Sequence, residues 1–200
     1  MILFACAVAE ELAFLTPSAR YDVLATGIGP IEAACAISAA LARGTYDLVV
    51  NAGIAGGFEG RAAIGEGIVV DNDYLAELGT EDGEALRDGS ELITRARSDE
   101  QLVGALRARG HRDGNAVTVA RVTRTAATAA ALARRYDATI ESMEGFAVLR
   151  AAQVAGVRAI ELRGISNVVG PQQPGGFAFQ AARSALGPLV ASLMEIVNAQ

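Results

Sequence analysis

Three short clusters set polar residues against apolar runs: Glu10-Glu11, Ser142-Met143-Glu144-Gly145-Phe146, and Arg163-Gly164-Ile165-Ser166-Asn167. Glu144 opens an apolar run with helical character, and Asn167 closes one with strand character. In an open α/β sheet, ligands bind at the carboxyl ends of strands and the adjoining helix starts. An acid and an amide so placed can converge on one ligand. The acid suits a pair of sugar hydroxyls and the amide suits the edge of a heterocycle, which together describe a nucleoside site. Glu10-Glu11 alone reads as an ordinary acidic helix start. Beside Glu144 it supplies a second carboxylate. Glycosidic cleavage commonly uses one acid to activate water and another group to hold the sugar as it becomes cationic. Glu144 is flanked by apolar residues, so it is expected to be partly buried and to need a partner; ribose hydroxyls are good donors to it.

Each of these residues also has a plainer reading. Asn167 suits a turn ahead of Pro171. Phe177 and Phe179, in a glycine-rich stretch before the last helix, fit either a core or an aromatic lid over a base. Gly27-Ile28-Gly29 lies where a dinucleotide fingerprint would, but the third position beyond the second glycine is Glu32 rather than a small residue. It reads instead as a tight strand–helix turn.

The elements that must carry these groups follow from periodicity and punctuation. Strands are predicted over 1–7, 21–26, 47–52, 67–70, 115–122, 138–141 and 157–165, and helices over 31–42, 98–109, 125–135, 144–155 and 176–197. The continuous apolar strand at 47–52 fits a sheet covered on both faces. Gly53-Ile54-Ala55-Gly56-Gly57 is expected to be a loop, 76–98 a variable acidic loop, and Ser98 an N-cap boxed with Gln101. Alternating strands and helices predict an α/β fold: one three-layer domain over 1–200, with a central, mostly parallel mixed sheet flanked by helices.

Composition narrows the function classes. Of the 200 residues, 52% are hydrophobic, and the net charge of −6 argues against a broad nucleic-acid or anionic-membrane surface. All basic side chains are Arg, and the absence of Lys excludes a P-loop lysine or a Schiff-base lysine. Cys6 and Cys35 sit in apolar runs and are expected to be buried reduced thiols. His111 is the only histidine. It is expected at an exposed helix end, and nothing recommends it for a triad. No Cys/His spacing suggests a metal. The first residues are apolar without a basic leader and run into Glu10-Glu11, which predicts a buried first strand rather than a signal peptide. No run suits a bilayer span. The expectation is a soluble cytoplasmic protein.

Taken together, Ala7-Val8-Ala9-Glu10-Glu11, Thr26-Gly27-Ile28-Gly29, Asn51-Ala52-Gly53-Ile54-Ala55-Gly56-Gly57, Met143-Glu144-Gly145 and Arg163-Gly164-Ile165-Ser166-Asn167 resemble the nucleoside phosphorylase/nucleosidase superfamily almost end to end. Within it the chain looks like hydrolases of the methylthioadenosine/S-adenosylhomocysteine nucleosidase type. Its Ile-Ser-Asn-Val-Val-Gly-Pro stretch is most similar to the branch that releases hypoxanthine from futalosine. The resemblance implies a nucleoside phosphorylase-like fold and a small-molecule nucleoside substrate. It implies no cofactor or metal, and a homodimer with the site near the interface. It implies that Glu11 orients and deprotonates the attacking water, and that Met143 and Glu144 bind the ribose, with Glu144 on the 2′- and 3′-hydroxyls. Val122, beside Arg121, falls where strand backbone borders the base, and Phe177 falls where a ring covers it. Ser166 lies beside the base-site amide. Ile54 stands where relatives carry a hydroxyl residue, and Asn51 where bacterial hexameric phosphorylases carry an Arg.

Asn167 replaces an aspartate that serves the purine N7 in adenosine-specific nucleosidases. An amide cannot act as an acid at N7. It can accept from a protonated N7 while its NH₂ donates to a 6-oxo group, so a 6-oxopurine is expected, although Asn also pairs with adenine. Glu11 would repel phosphate, so hydrolysis is expected over phosphorolysis. An adenosine-type nucleosidase and a nucleoside-binding domain without turnover are the alternatives.

Overall fold

The computed structural model describes residues 1–16, 18–80, 92–171 and 176–199. Strand β1 (Ile2–Cys6) is buried along its whole length, so its alternating side chains feed two cores. Leu3 and Ala5 face one layer with Ile37, Phe146 and Leu149, while Phe4 and Cys6 face another with Leu102, Leu106, Leu186 and Leu193. Burying each large apolar side chain contributes about 1.5–3 kcal/mol, and this two-sided burial explains the continuous apolar strands.

The remaining elements are β2 (Tyr21–Ala25), α1 (Pro30–Arg43), β3 (Leu48–Gly57), β4 (Gly67–Leu75), β5 (Arg95–Arg97), α2 (Glu100–Ala108), β6 (Arg112–Thr118), α3 (Ala126–Arg135), β7 (Ala138–Ser142), α4 (Gly145–Val154), β8 (Arg158–Val168) and α5 (Phe179–Asn198). Helices α1 and α4 cover one face, and α2 and α5 the other. Strands β2, β1, β3 and β8 run parallel, as do β7, β6 and β4. The two groups join through antiparallel contacts, β3 with β7 and β4 with β8. Because β8 pairs with both β3 and β4, part of the mixed sheet closes on itself. Ala55, Ile68, Val70, Ala116, Ile140 and Ile165 fill the interior. The β3–β7 contact involves only Gly56↔Glu141 and Gly57↔Ile140. The carboxyl ends of the two parallel groups therefore meet there.

Several expectations are corrected. Gly53–Gly57 is not a loop but the second half of β3. Glycine weakens isolated strands, but here β8 pairs along the whole segment and β7 joins at Gly56 and Gly57. Strand β6 ends at Thr118, so Val122 lies in the following loop rather than in a strand. The region 76–98 contains β5, and 81–91 fall outside the described residues. Asp99, not Ser98, caps α2, its side chain accepting from the Leu102 N–H. Ser98 is buried and its hydroxyl accepts from the Glu161 N–H at 3.1 Å. Cys35 is exposed, and only Cys6 is buried; burial and the nearby Glu11 push the Cys6 thiol up to about 12. His111 is half-buried beyond α2, with its ring Nε2 2.7 Å from the Ser192 hydroxyl. No helix among the described residues is long and apolar enough to cross a membrane.

Candidate active site

A 3-10 turn, Ala9–Leu12, follows β1 and folds Glu11 back over the strand end. Glu11 is 2% exposed. Its Oε2 accepts from the N–H groups of Ala7 (2.8 Å) and Val8 (3.1 Å), and its Oε1 from that of Ile54 (2.7 Å). Three backbone donors fix the carboxylate. Gly53 makes this approach feasible: a Cβ there would stand 2.6 Å from Glu11 Oε1 and 2.8 Å from Arg163 Nη1.

Glu144 sits at the N-cap of α4, straight after β7. Its Oε1 accepts from the Gly29 N–H at 2.9 Å. Gly29 is itself the N-cap of α1 with φ of 98°, a conformation natural to glycine, so the 27–29 turn presents a donor to the second carboxylate. Burial raises the Glu144 pKa above 4.5, and the Arg163 charge opposes that rise.

Arg163 lies behind both carboxylates and is fully buried. Its Nε donates to Glu161 Oε1 at 2.8 Å and its Nη1 to the Ile54 carbonyl at 3.3 Å. Nη2 lies 3.8 Å from Glu144 Oε2. Burial works against the guanidinium charge, but Glu161, Glu144 and Glu11 outweigh it and raise its pKa. The Ile54 peptide thus engages Glu11 through its N–H and Arg163 through its carbonyl.

Beneath this layer, Asp73 and Glu161 are both buried and both lie against Gly145, where a Cβ would overlap them. Asp73 Oδ2 accepts from the Thr118 hydroxyl at 3.0 Å, while Asp73 Oδ1 and Glu161 Oε2 have no donor among the described residues. Adjacent buried carboxylates do not both ionise readily. Burial, reinforced by Glu161, pushes Asp73 well above the usual range. The folded state therefore binds the extra proton between the unfolded Asp value, about 3.9, and the raised folded value. Stability from this group is full below that window and falls as pH rises through it. Asp73→Asn needs no such proton. Its melting temperature is expected to match wild type near pH 4 and to exceed it at pH 8 by at least about 2 °C. Thermal melts across pH check this; a variant less stable at every pH would contradict it.

Glu11, Ile54, Val122, Met143, Glu144, Ser166, Asn167 and Phe177 all line one cleft of about 220 Å³, so every residue expected at the site is brought together. Val8, Ile28, Glu141 and Ser142 line it too. Asn167 Oδ1 accepts from the Ser166 hydroxyl at 2.8 Å, and its Nδ2 donates to the Val168 carbonyl at 3.2 Å. One lone pair and one N–H remain for a ligand. Phe177 is 58% exposed at the mouth, and the neighbouring Ala178 N–H is tied to the Ser166 carbonyl at 2.8 Å. Arg121 lines a separate depression that shares Val122 with the cleft. Asn51 is buried in β3 away from the cleft wall. Among the described residues, no Arg or His side chain lines the cleft, and three carboxylates do.

Such an arrangement can hold a diol, present a water and grip a flat heterocycle. The Phosphorylase superfamily model matches residues 19–195. The chain belongs to the phosphorylase superfamily. It is similar to the futalosine hydrolase of Streptomyces coelicolor, 37% identical over 188 residues, covering 89% of this chain and 80% of that one. It is also similar to the futalosine hydrolase of Thermus thermophilus, 36% identical over 198 residues, covering 92% and 88%. In fold it matches the 5′-methylthioadenosine/S-adenosylhomocysteine nucleosidase of Neisseria meningitidis, with a TM-score of 0.83 at 18% identity over 96% of this chain and 97% of that one.

Sequence reasoning missed three contributors. Arg163 was visible only as part of a motif, although an Arg two residues from a Glu in an apolar strand signals a buried ion pair. Gly29 as a donor and Glu141 as a cleft residue depend on contacts between distant segments.

Proposed function

We propose that this protein is a futalosine hydrolase, cleaving the N-glycosidic bond of futalosine to release hypoxanthine within menaquinone biosynthesis. The observation that carries the reading is the convergence of Glu11, Glu144 and Asn167 on one cleft; relatives named futalosine hydrolase support the substrate. As the C1′–N9 bond breaks, its electron pair leaves with the base and the sugar becomes oxocarbenium-like. Glu144 accepts from the 2′- and 3′-hydroxyls, with Met143 against the ribose. Glu11 orients water and takes its proton as the oxygen bonds to C1′. Asn167, oriented by Ser166, accepts from N7 once solvent has protonated it and donates to the 6-oxo group. Val122 borders the base, Phe177 covers it, and Ile54 holds Glu11 through its backbone. Fixed charges supply the stabilisation.

Water rather than phosphate is the nucleophile in this reading, because the cleft wall carries carboxylates and no cation among the described residues. Exposed Ile28 and Ile31 at the cleft rim and the adjoining first turn of α1 fit a homodimer with the site near its interface. The protein acts in the cytoplasm as a single domain over 1–200. A panel of futalosine, inosine, methylthioadenosine and S-adenosylhomocysteine, with released bases identified by chromatography, tests the substrate assignment. Hypoxanthine from futalosine at the highest kcat/KM is expected; adenine released faster from the thio-nucleosides would overturn it.

A further inference from the structure

Glu141 is a cleft carboxylate to which the proposed chemistry gives no task. It is 6% exposed on β7 and lines the cleft. Its Oε1 accepts from the Thr123 N–H at 3.0 Å, while Oε2 is buried with no hydrogen-bond partner among the described residues. A buried carboxylate oxygen left unpaired is costly unless a ligand donor completes it.

The strand register says which ligand atom could do so. Gly56 of β3 pairs with Glu141 of β7 on one side and with Asn167 of β8 on the other. Neighbouring strands lie about 4.8 Å apart, so the two backbones stand about 10 Å apart. Gly56 between them has no side chain, and all three residues line the cleft. Asn167 and Glu141 thus flank one stretch of cleft wall, with Glu141 Oε2 set at its buried margin. A purine edge presents N7, the 6-substituent and N1 in sequence. With Asn167 at N7 and the 6-position, N1 falls toward Glu141.

We infer that Glu141 reads the base, its free oxygen accepting the N1–H of a 6-oxopurine. This rests on the nucleosidase reading and deepens it. A 6-oxopurine carries a hydrogen on N1, whereas adenine presents a bare lone pair that a carboxylate repels. Burial raises the Glu141 pKa, and hydrogen bonds from Thr123 oppose that rise and favour the ionised form. Glu141 thereby adds to the discrimination that Asn167 alone leaves incomplete.

The test compares hypoxanthine, 1-methylhypoxanthine and adenine by calorimetric binding to the purified protein. Methylation at N1 removes the donor and leaves N7 and the 6-oxo group intact. Wild type is expected to bind hypoxanthine at least about tenfold more tightly than 1-methylhypoxanthine. In Glu141→Ala that preference should shrink to within about threefold. Glu141→Gln retains the volume and can turn its NH₂ toward N1. It should shift the adenine-to-hypoxanthine preference toward adenine by about tenfold or more. If wild type cleaves futalosine but both preferences are unchanged in the two variants, the inference fails and the functional reading stands. If wild type prefers adenine and cleaves methylthioadenosine instead, both fall.

Discussion

Glu144→Gln is expected to lower kcat by about 10²–10³-fold, the range found when a fixed group that stabilises transition-state charge is removed. Glu144 Oε2 lies 3.8 Å from Nη2 of Arg163, and its Oε1 is already held by the Gly29 N–H. A glutamine can keep the Gly29 bond but cannot accept from two ribose hydroxyls while spreading negative charge beneath the forming cation. KM should rise as well, since the diol loses its partner in the ground state. The fold should survive, because the substitution removes a charge whose burial is unfavourable. Stopped assays and thermal melts on the same preparation check this. Near wild-type turnover would remove Glu144 from the mechanism. The raised Glu144 pKa adds a pH signature. The ionised form is the active one, so wild-type activity should fall on the acid side with a midpoint above 4.5, and the variant should lose that limb.

Glu11→Gln is expected to cost about 10²–10⁴-fold in kcat, as removal of a general base does, with little change in KM. The contrast with Glu144 is the point. Glu11 has both oxygens held by backbone donors from Ala7, Val8 and Ile54, a fixed geometry that fits the proposed role of holding and deprotonating water. A glutamine has one acceptor oxygen and would turn an NH₂ group toward at least one of those N–H donors. Steady-state kinetics would show kcat collapsing while hypoxanthine binding, followed by calorimetry, stays near wild type. Equal losses in both variants, or turnover retained here, would contradict the division of labour.

The parts of the site that could be read from sequence are those whose chemistry is local. Glu144 ahead of an apolar helix and Asn167 at the end of an apolar strand advertise a ligand by being polar where the pattern demands otherwise. Their roles came through the superfamily resemblance, which the match over residues 19–195 upholds. The illegible parts depend on register and long-range contact. Gly53–Gly57 looked like a loop because strand stability there comes from β7 and β8, which lie about 85 and about 110 residues away in the chain. Closure of the sheet through β8 has no local signal at all. Ser98 and Asp99 both suit an N-cap, and the choice between them was made by Ser98 docking onto the Glu161 backbone. Cys35 lies on an Ala-rich helix with a weakly marked solvent face, so its exposure was not apparent. The Asp73–Glu161–Arg163 layer is hidden for a similar reason: three charged residues in two strands become one network only when β4 and β8 pair.

The central claim is hydrolytic release of hypoxanthine from futalosine. It is tested most directly by incubating purified protein with futalosine in water enriched in oxygen-18, with and without phosphate, and analysing the products by mass spectrometry. The account predicts hypoxanthine together with a sugar product carrying the heavy oxygen at C1′, at a rate that phosphate does not change. A sugar phosphate formed only when phosphate is added, or no hypoxanthine at all, would contradict it.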